Sequence, residues 1–177
     1  MRRMFGPIAA ALILSASAGC AHHDPVLHLP ALQADDPAFS ATLAAYTGSA
    51  VVSGNRVEIL LNGDEIFPAK LRAIRSARKN INYAQYVFDE GQPSVDIANA
   101  LAERCRAGVT VNLLLDGVGT LTMPPEYRQI MEQAGCRIET FRPLNPFGFD
   151  RVNYRNHRRI LVVDGRVGIT GGSGTSG

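Results

Sequence analysis

The sequence predicts an α/β fold, a parallel or mixed sheet flanked by helices. Strand-like and helix-like periods alternate from Arg56 to Phe141. Farther on, Ile160 to Thr170 reads as two apolar strands around a two-residue Asp-Gly turn at Asp164-Gly165. The chain has 177 residues, 46% hydrophobic and 19% charged. That is about one domain with a sizeable core, too apolar for a disordered polyampholyte.

The N-terminus precedes the fold. Met1-Arg2-Arg3 is a positive cap, Ile8 to Leu14 a short apolar run, and Ser15 to Cys20 a string of small residues. This is the layout of a signal peptide over residues 1–20. Ser17-Ala18-Gly19-Cys20 resembles the lipobox of bacterial lipoproteins, with Ser17 where leucine is usual, which makes Cys20 the lipidation site. Cleavage after Ala16-Ser17-Ala18, or an uncleaved anchor, are the other readings. The expected location is a bacterial cell envelope, with the exported chain held to a membrane through Cys20. Several acyl chains make a firm anchor. Residues 21–55, rich in Ala, Pro, Asp and Ser, read as a tether with a short helix near Pro37 to Tyr46. His22 and His23 read as part of it.

From Arg56 the elements follow in turn. Val57 to Leu61 reads as a strand ended by Asn62-Gly63, and Asp64 and Glu65 suit the positive end of a helix. That helix places Leu71 and Ile74 inward and Lys70, Arg72, Arg75, Arg78 and Lys79 elsewhere. Ile81 to Phe88 is a second strand. Ser94 is the expected N-cap of a helix ended by Gly108, and Val109 to Leu115 reads as a strand buried on both faces. Pro124-Pro125 opens a helix that stops at Gly135, and Arg137 to Phe141 is another strand. With Cys20 set aside, Cys105 and Cys136 remain. A bridge is open to them, but two separate buried thiols are the expected state. No cysteine has metal-ligand spacing, so neither metal nor cofactor is assigned.

The net charge of +2 conceals an asymmetry. Arg2 and Arg3 account for all of it. Residues 141–177 hold six basic and two acidic side chains, whereas residues 20–140 carry a net −4. The positive segment contains Arg142, Arg151, Arg155, Arg158 and Arg159 around His157, with Phe147, Phe149 and Tyr154 interleaved.

His157-Arg158-Arg159, four residues, Asp164, and then Gly171-Gly172 resemble the H-x-K-x4-D signature of the phospholipase D superfamily. The cardiolipin-synthase-like bacterial branch is the nearest in look. VEILLNGDEIFPAKLRAIRSARKNINYAQYVF, Leu115-Asp116-Gly117-Val118-Gly119 and Asn156-His157-Arg158 fit it too. The resemblance covers Arg56 to Gly177. It implies a phospholipase D-like domain over residues 56–177, forming one half of a two-motif architecture. It also implies phosphodiester chemistry on phospholipid. A histidine attacks phosphorus, and water or an alcohol resolves the phosphohistidine, so one hard displacement becomes two easier ones. On this resemblance His157 is the nucleophile, Arg159 a phosphate cation and Asp164 a member of the active-site network. Asn156, Gly171, Gly172 and Ser173 are candidate phosphate contacts.

The chain departs from the signature. Arg159 replaces lysine, putting a planar fork where a point charge is usual. Gly174 stands where asparagine is frequent. Only one motif is present, and His22, His23 and His28 lack the signature around them. The second motif is therefore expected from a missing C-terminal half or from a homodimer partner. Two other functions stay open: a phosphodiesterase acting on nucleic acid, and a non-catalytic phosphate- or membrane-binding module. Taken singly, His157 reads as a surface residue and Asp164-Gly165 as a turn. Asp116 ends a strand where α/β sheets often place functional groups, and reads equally as a turn residue before Gly117.

Overall fold

A computed structural model of the chain describes residues 31–144 and 153–175. The export signal with Cys20, and Phe147, Phe149 and Arg151, lie outside the described residues. Two units divide after Arg56. In the first, α1 spans Phe39–Thr47 and buries none of its residues. Gly48 ends it in the left-handed region at φ 66°, donating its N–H to the Ala44 carbonyl.

The second unit has the order α2 (Asn62–Ser76), β1 (Asn80–Gln85), α3 (Gln92–Arg106), β2 (Thr110–Asp116), α4 (Pro125–Gln133), β3 (Arg137–Phe141), β4 (Ile160–Val163) and β5 (Val167–Thr170). The sheet order is β3-β2-β1-β4-β5. β1, β2 and β3 are parallel, while β4 runs antiparallel to β1 and to β5. The expected mixed sheet flanked by helices is thus the observed fold.

Alternation along the strands sets the core. Ile81, Tyr83 and Gln85 of β1 pair with Val111, Leu113 and Leu115 of β2, and all six are buried. Leu161 and Val163 of β4 continue that face. Ile74 of α2, Ile97 and Leu101 of α3 and Met131 of α4 are fully buried in the same core. Each such side chain contributes about 1.5–3 kcal/mol of burial energy. The opposite positions, Asn82, Asn112 and Leu114, are exposed or half-buried. β2 is therefore sealed on one face, not on both as its apolar run suggested.

Four other expectations change. Val57 to Leu61 forms no strand: Val57 and Ile59 are 87% and 82% exposed. The α3 N-cap is Gly91 at φ 137°, with Pro93 in the first turn, and Ser94 lies buried inside that turn. Lys70 faces the core, four residues before Ile74 on one stripe of α2, and is 5% exposed. The hairpin turn holds three residues, Asp164 to Arg166, because Val163 pairs with Val167.

Cys105 and Cys136 are bonded, with their Cα atoms 5.5 Å apart, which corrects the two-thiol expectation. The last turn of α3 and the start of β3 meet at one end of the sheet because α3 packs along α4. The bridge closes a separation of 31 residues. Replacing both cysteines by alanine is expected to remove about 2–4 kcal/mol of stability. Urea unfolding of parent and variant measures it, and a variant as stable as the parent would refute a stabilising bridge.

Candidate active site

The sheet has two rims, and the residues of the H-x-R-x4-D stretch divide between them. At one rim lie the C-terminal ends of β1, β2, β3 and β5 and the start of β4. Ligand sites in open α/β sheets gather at the carboxyl ends of parallel strands. His157, Arg159, Asn156 and Gly171 to Ser173 all lie at this rim.

Tyr86, the first residue after β1, is the platform. The His157 imidazole stacks on its ring at a centroid distance of 3.7 Å and an interplanar angle of 21°, while staying exposed. The Arg159 guanidinium carbon lies 5.8 Å from the centre of the same ring, within cation–π range. Arg159 Nε is buried without a hydrogen-bond partner among the described residues. A buried charged donor with no acceptor calls for an anion or water.

Asp116 at the end of β2 holds the His157 segment in place. It is fully buried, and its Oδ2 accepts the Asn156 N–H at 2.8 Å. Its Oδ1 accepts the N–H groups of Val118 and Gly119 at 2.8 and 3.1 Å, and lies 3.6 Å from Arg155 Nη1. Burial alone would raise its pKa. The three N–H groups and the arginine outweigh that and hold the carboxyl below its ordinary range. Arg155 also donates to the Arg142 carbonyl at 3.0 Å, tying the segment to the end of β3.

The turn after Asp116 leaves no room for a side chain at Gly117 or Gly119. A Cβ on Gly119 would stand 2.3 Å from the Tyr86 carbonyl oxygen, and one on Gly117 2.5 Å from that of Arg142. Gly119→Ala is therefore expected to displace Tyr86 and cost about 1–3 kcal/mol. Thermal melts and near-ultraviolet dichroism would register the change, and a parent-like melt would show that the turn gives way freely.

The phosphate candidates fare differently. Asn156 Oδ1 accepts the Arg158 N–H at 3.2 Å, which leaves the amide nitrogen for a ligand. Ile160 pairs with Thr170, so Gly171-Gly172 leave β5 beside Arg159, with both glycines exposed. Ser173 Oγ bonds the Gly174 carbonyl at 3.0 Å. Thr175 returns to the sheet. Its N–H donates to the Val87 carbonyl, its carbonyl accepts from Asp89 N–H, and its hydroxyl lies 2.9 Å from Tyr83 Oη.

Asp164 belongs to the opposite rim. It follows the last residue of β4, whereas His157 precedes the first. Its carboxylate accepts the N–H groups of Arg78, Lys79 and Asn80 at 2.9, 2.8 and 2.9 Å. The bonds from Asn80, Arg78 and Lys79 keep it below the usual carboxylate range. The structure thus does not join Asp164 to the His157 network. It clasps the β4–β5 turn to the entry of β1, at φ 53°.

Two residues at the site escaped sequence reasoning. Tyr86 sits inside Ile81 to Phe88, a run that reads simply as a strand. Lys70 reads as the polar face of an amphipathic helix. Its Nζ is buried with no hydrogen-bond partner among the described residues, 5.6 Å from the Phe67 ring centre and 6.0 Å from that of Tyr83. Burial, and then the Arg159 charge, push its pKa down to about 8. Among the described residues no three His, Cys, Asp or Glu side chains are grouped to hold a metal ion.

Residues 71–176 match the family described as "Cardiolipin synthase, PLD-like domain". Cardiolipin synthase 1 of Bacillus cereus is 35% identical over 128 residues, which are 72% of this chain and 25% of that protein. Cardiolipin synthase A of Pseudomonas fluorescens is 34% identical over 125 residues, 68% of this chain and 26% of that protein. The chain therefore spans about a quarter of the length of these relatives. Among solved structures, NucT from Helicobacter pylori is 18% identical with a TM-score of 0.50, over 64% of this chain and 69% of that one. That likeness concerns the fold. The family match covers the sheet, the end of α2, α3, α4 and the His157 stretch together, and the chain belongs to the phospholipase D superfamily as a cardiolipin-synthase-like member.

Proposed function

We propose that this protein is a phospholipid phosphodiesterase or phosphatidyltransferase that works through a phosphohistidine on His157. The observation that carries the reading is the arrangement on Tyr86: an exposed imidazole and an incompletely hydrogen-bonded guanidinium share one ring at the ligand-binding rim. In the first step an imidazole nitrogen of His157 bonds to phosphorus and the phosphorus–oxygen bond to the leaving alcohol breaks. That alkoxide takes a proton as it departs. In the second step water, or the hydroxyl of an acceptor lipid, bonds to phosphorus, gives up its proton, and the phosphorus–nitrogen bond breaks. Little covalent help is needed beyond this, so catalysis rests on positioning and on fixed positive charge. Arg159 supplies such charge, with the Asn156 amide and the Gly171-Gly172 backbone as further donors and Ser173 beside them.

The proton for the leaving group comes from a second motif. Since the chain spans about a quarter of its relatives, that motif belongs to further chain or to a second copy. The exported, Cys20-anchored reading also belongs to this proposal. The Cys105–Cys136 bridge supports it, because disulfides persist in oxidising compartments. An anchor would hold the site at a lipid surface.

The test uses protein from the complete reading frame with phosphatidylglycerol vesicles. Headgroup release or transfer is followed, and the acid-labile phosphohistidine is sought by mass spectrometry. Turnover with modified His157 supports the reading. Cleavage of DNA with inert vesicles would move the substrate to nucleic acid. Anion binding with neither turnover nor modification would leave a binding module.

A further inference from the structure

Lys70 is the least expected residue of the site. Its helix has ample solvent-facing positions, as the exposed Arg72 and Arg75 show, yet this lysine occupies the core stripe. The strand register shows what it faces. Leu161 pairs with Tyr83 and Ile160 with Ala84, so Arg159, one residue earlier, falls beside Gln85 on the face of Tyr83. That face lies under α2. Lys70 is therefore set against Tyr83, under the sheet from the rim where Arg159 meets Tyr86.

Neither cation has an acceptor: Lys70 Nζ and Arg159 Nε are both buried without hydrogen-bond partners among the described residues, and the Gln85 Oε1 acceptor beside Arg159 is unpaired as well. The Tyr83 and Thr175 hydroxyls satisfy each other. Two cationic side chains repel across this space, and among the described residues no carboxylate offsets that repulsion at Lys70. Burying an unpaired ammonium beside a second cation is unfavourable for folding alone. Methionine or leucine would fill the same stripe at lower energy. A phosphate-sized anion reverses the balance, since its oxygens supply the acceptors both nitrogens lack.

We propose that Lys70 is a second cation of the phosphate site, sharing with Arg159 the negative charge that grows on the phosphodiester as His157 attacks. The inference rests on the functional reading above and adds a residue to it. It has a proton linkage. The groups facing Lys70 are Phe67 on its own helix, Tyr83 on β1 and Arg159 ahead of β4. Tyr83 stays neutral, its pKa pushed up to about 12 by burial against a smaller opposing effect of the Thr175 hydrogen bond. Near pH 8 Lys70 is only partly protonated in the empty site. A bound dianion favours its charged form, so binding takes up a proton.

The experiment measures sulfate binding by the full chain by calorimetry between pH 7 and 9. Sulfate is a dianion that does not titrate there. Binding to the parent is expected to weaken above pH 8 and to take up protons near that pH. Lys70→Met is expected to weaken binding roughly ten- to a hundredfold at pH 7, flatten the pH dependence and raise the melting temperature. Lys70→Arg should recover most of the affinity. If Lys70→Met binds like the parent while Arg159→Met loses sulfate, Lys70 is not in the site and this inference fails alone. Should neither substitution change binding, or the parent bind no sulfate, the functional reading fails with it. Where Lys70→Met does not fold, the proton count of the parent decides: no uptake near pH 8 overturns the proposal.

Discussion

Replacing His157 by alanine is expected to lower phospholipid turnover about 10⁴-fold or more, with the fold intact. The imidazole is the nucleophile of the proposed two-step displacement, and without it water must attack the phosphodiester directly. The stability change should be small. His157 is exposed, and among the described residues its one aromatic contact is the Tyr86 ring, an interaction worth about 0.5–1.5 kcal/mol. Activity loss and fold loss therefore separate at this position. Headgroup release and a thermal melt on the same preparation measure both. Turnover within tenfold of the parent would exclude a phosphohistidine on His157, whatever else the rim binds.

The order of elements was legible because it is written in local periods. Val111, Leu113 and Leu115 alternate inward, Ile97 and Leu101 repeat at helical spacing, and Gly108 and Gly135 stop their helices at φ 84° and 88°. The signature located His157 and Arg159 through their spacing, which needs no tertiary information. What stayed hidden depends on partners far along the chain. Val57 and Ile59 alternate as a strand should, but alternation does not supply a neighbouring strand to pair with. Cys105 and Cys136 meet only because α3 packs along α4. Lys70 was assigned to water by its charge, although its distance of four residues from Ile74 places both on one stripe.

The signature also joined residues that the sheet separates. Asp164 shares the motif with His157, and β4 stands between them. Its carboxylate pins the turn at the far end of β4 to the entry of β1. The carboxylate that does reach the His157 segment is Asp116, forty residues from Asn156 in sequence. It ends a buried strand before a glycine, a place where α/β sheets set functional groups but also a context of ordinary turn residues, so the sequence left both readings open. Both ends of the H-x-R-x4-D stretch are thus fixed by acids accepting main-chain N–H groups. This holds the His157 stretch at both ends without a carboxylate touching the imidazole among the described residues.

The larger stability effect belongs to Asp116. Asp116→Asn keeps the shape but turns one acceptor oxygen into an NH₂ group, which must then face a main-chain N–H of Asn156 or of Val118 and Gly119. It also removes the charge beside Arg155, whose side chain is only 8% exposed. Removing one partner from such a buried pair costs about 3–5 kcal/mol. The expected variant is markedly less stable, and in the fraction that folds the His157 segment is no longer tied to β2, so turnover falls further than the folded fraction does. The pH dependence identifies the cause. Because the folded carboxyl lies below its unfolded value of about 4, its stabilising contribution is fully present above that pH and is lost as pH falls through the folded value. Asp164, also held low, adds an acid-sensitive contribution of the same sign that persists in the variant. Urea unfolding of parent and Asp116→Asn at pH 7 and at progressively lower pH should therefore show two stability curves that converge on acidification. Parallel curves, or a variant as stable as the parent at pH 7, would mean that Asp116 does not hold the His157 segment by its charge.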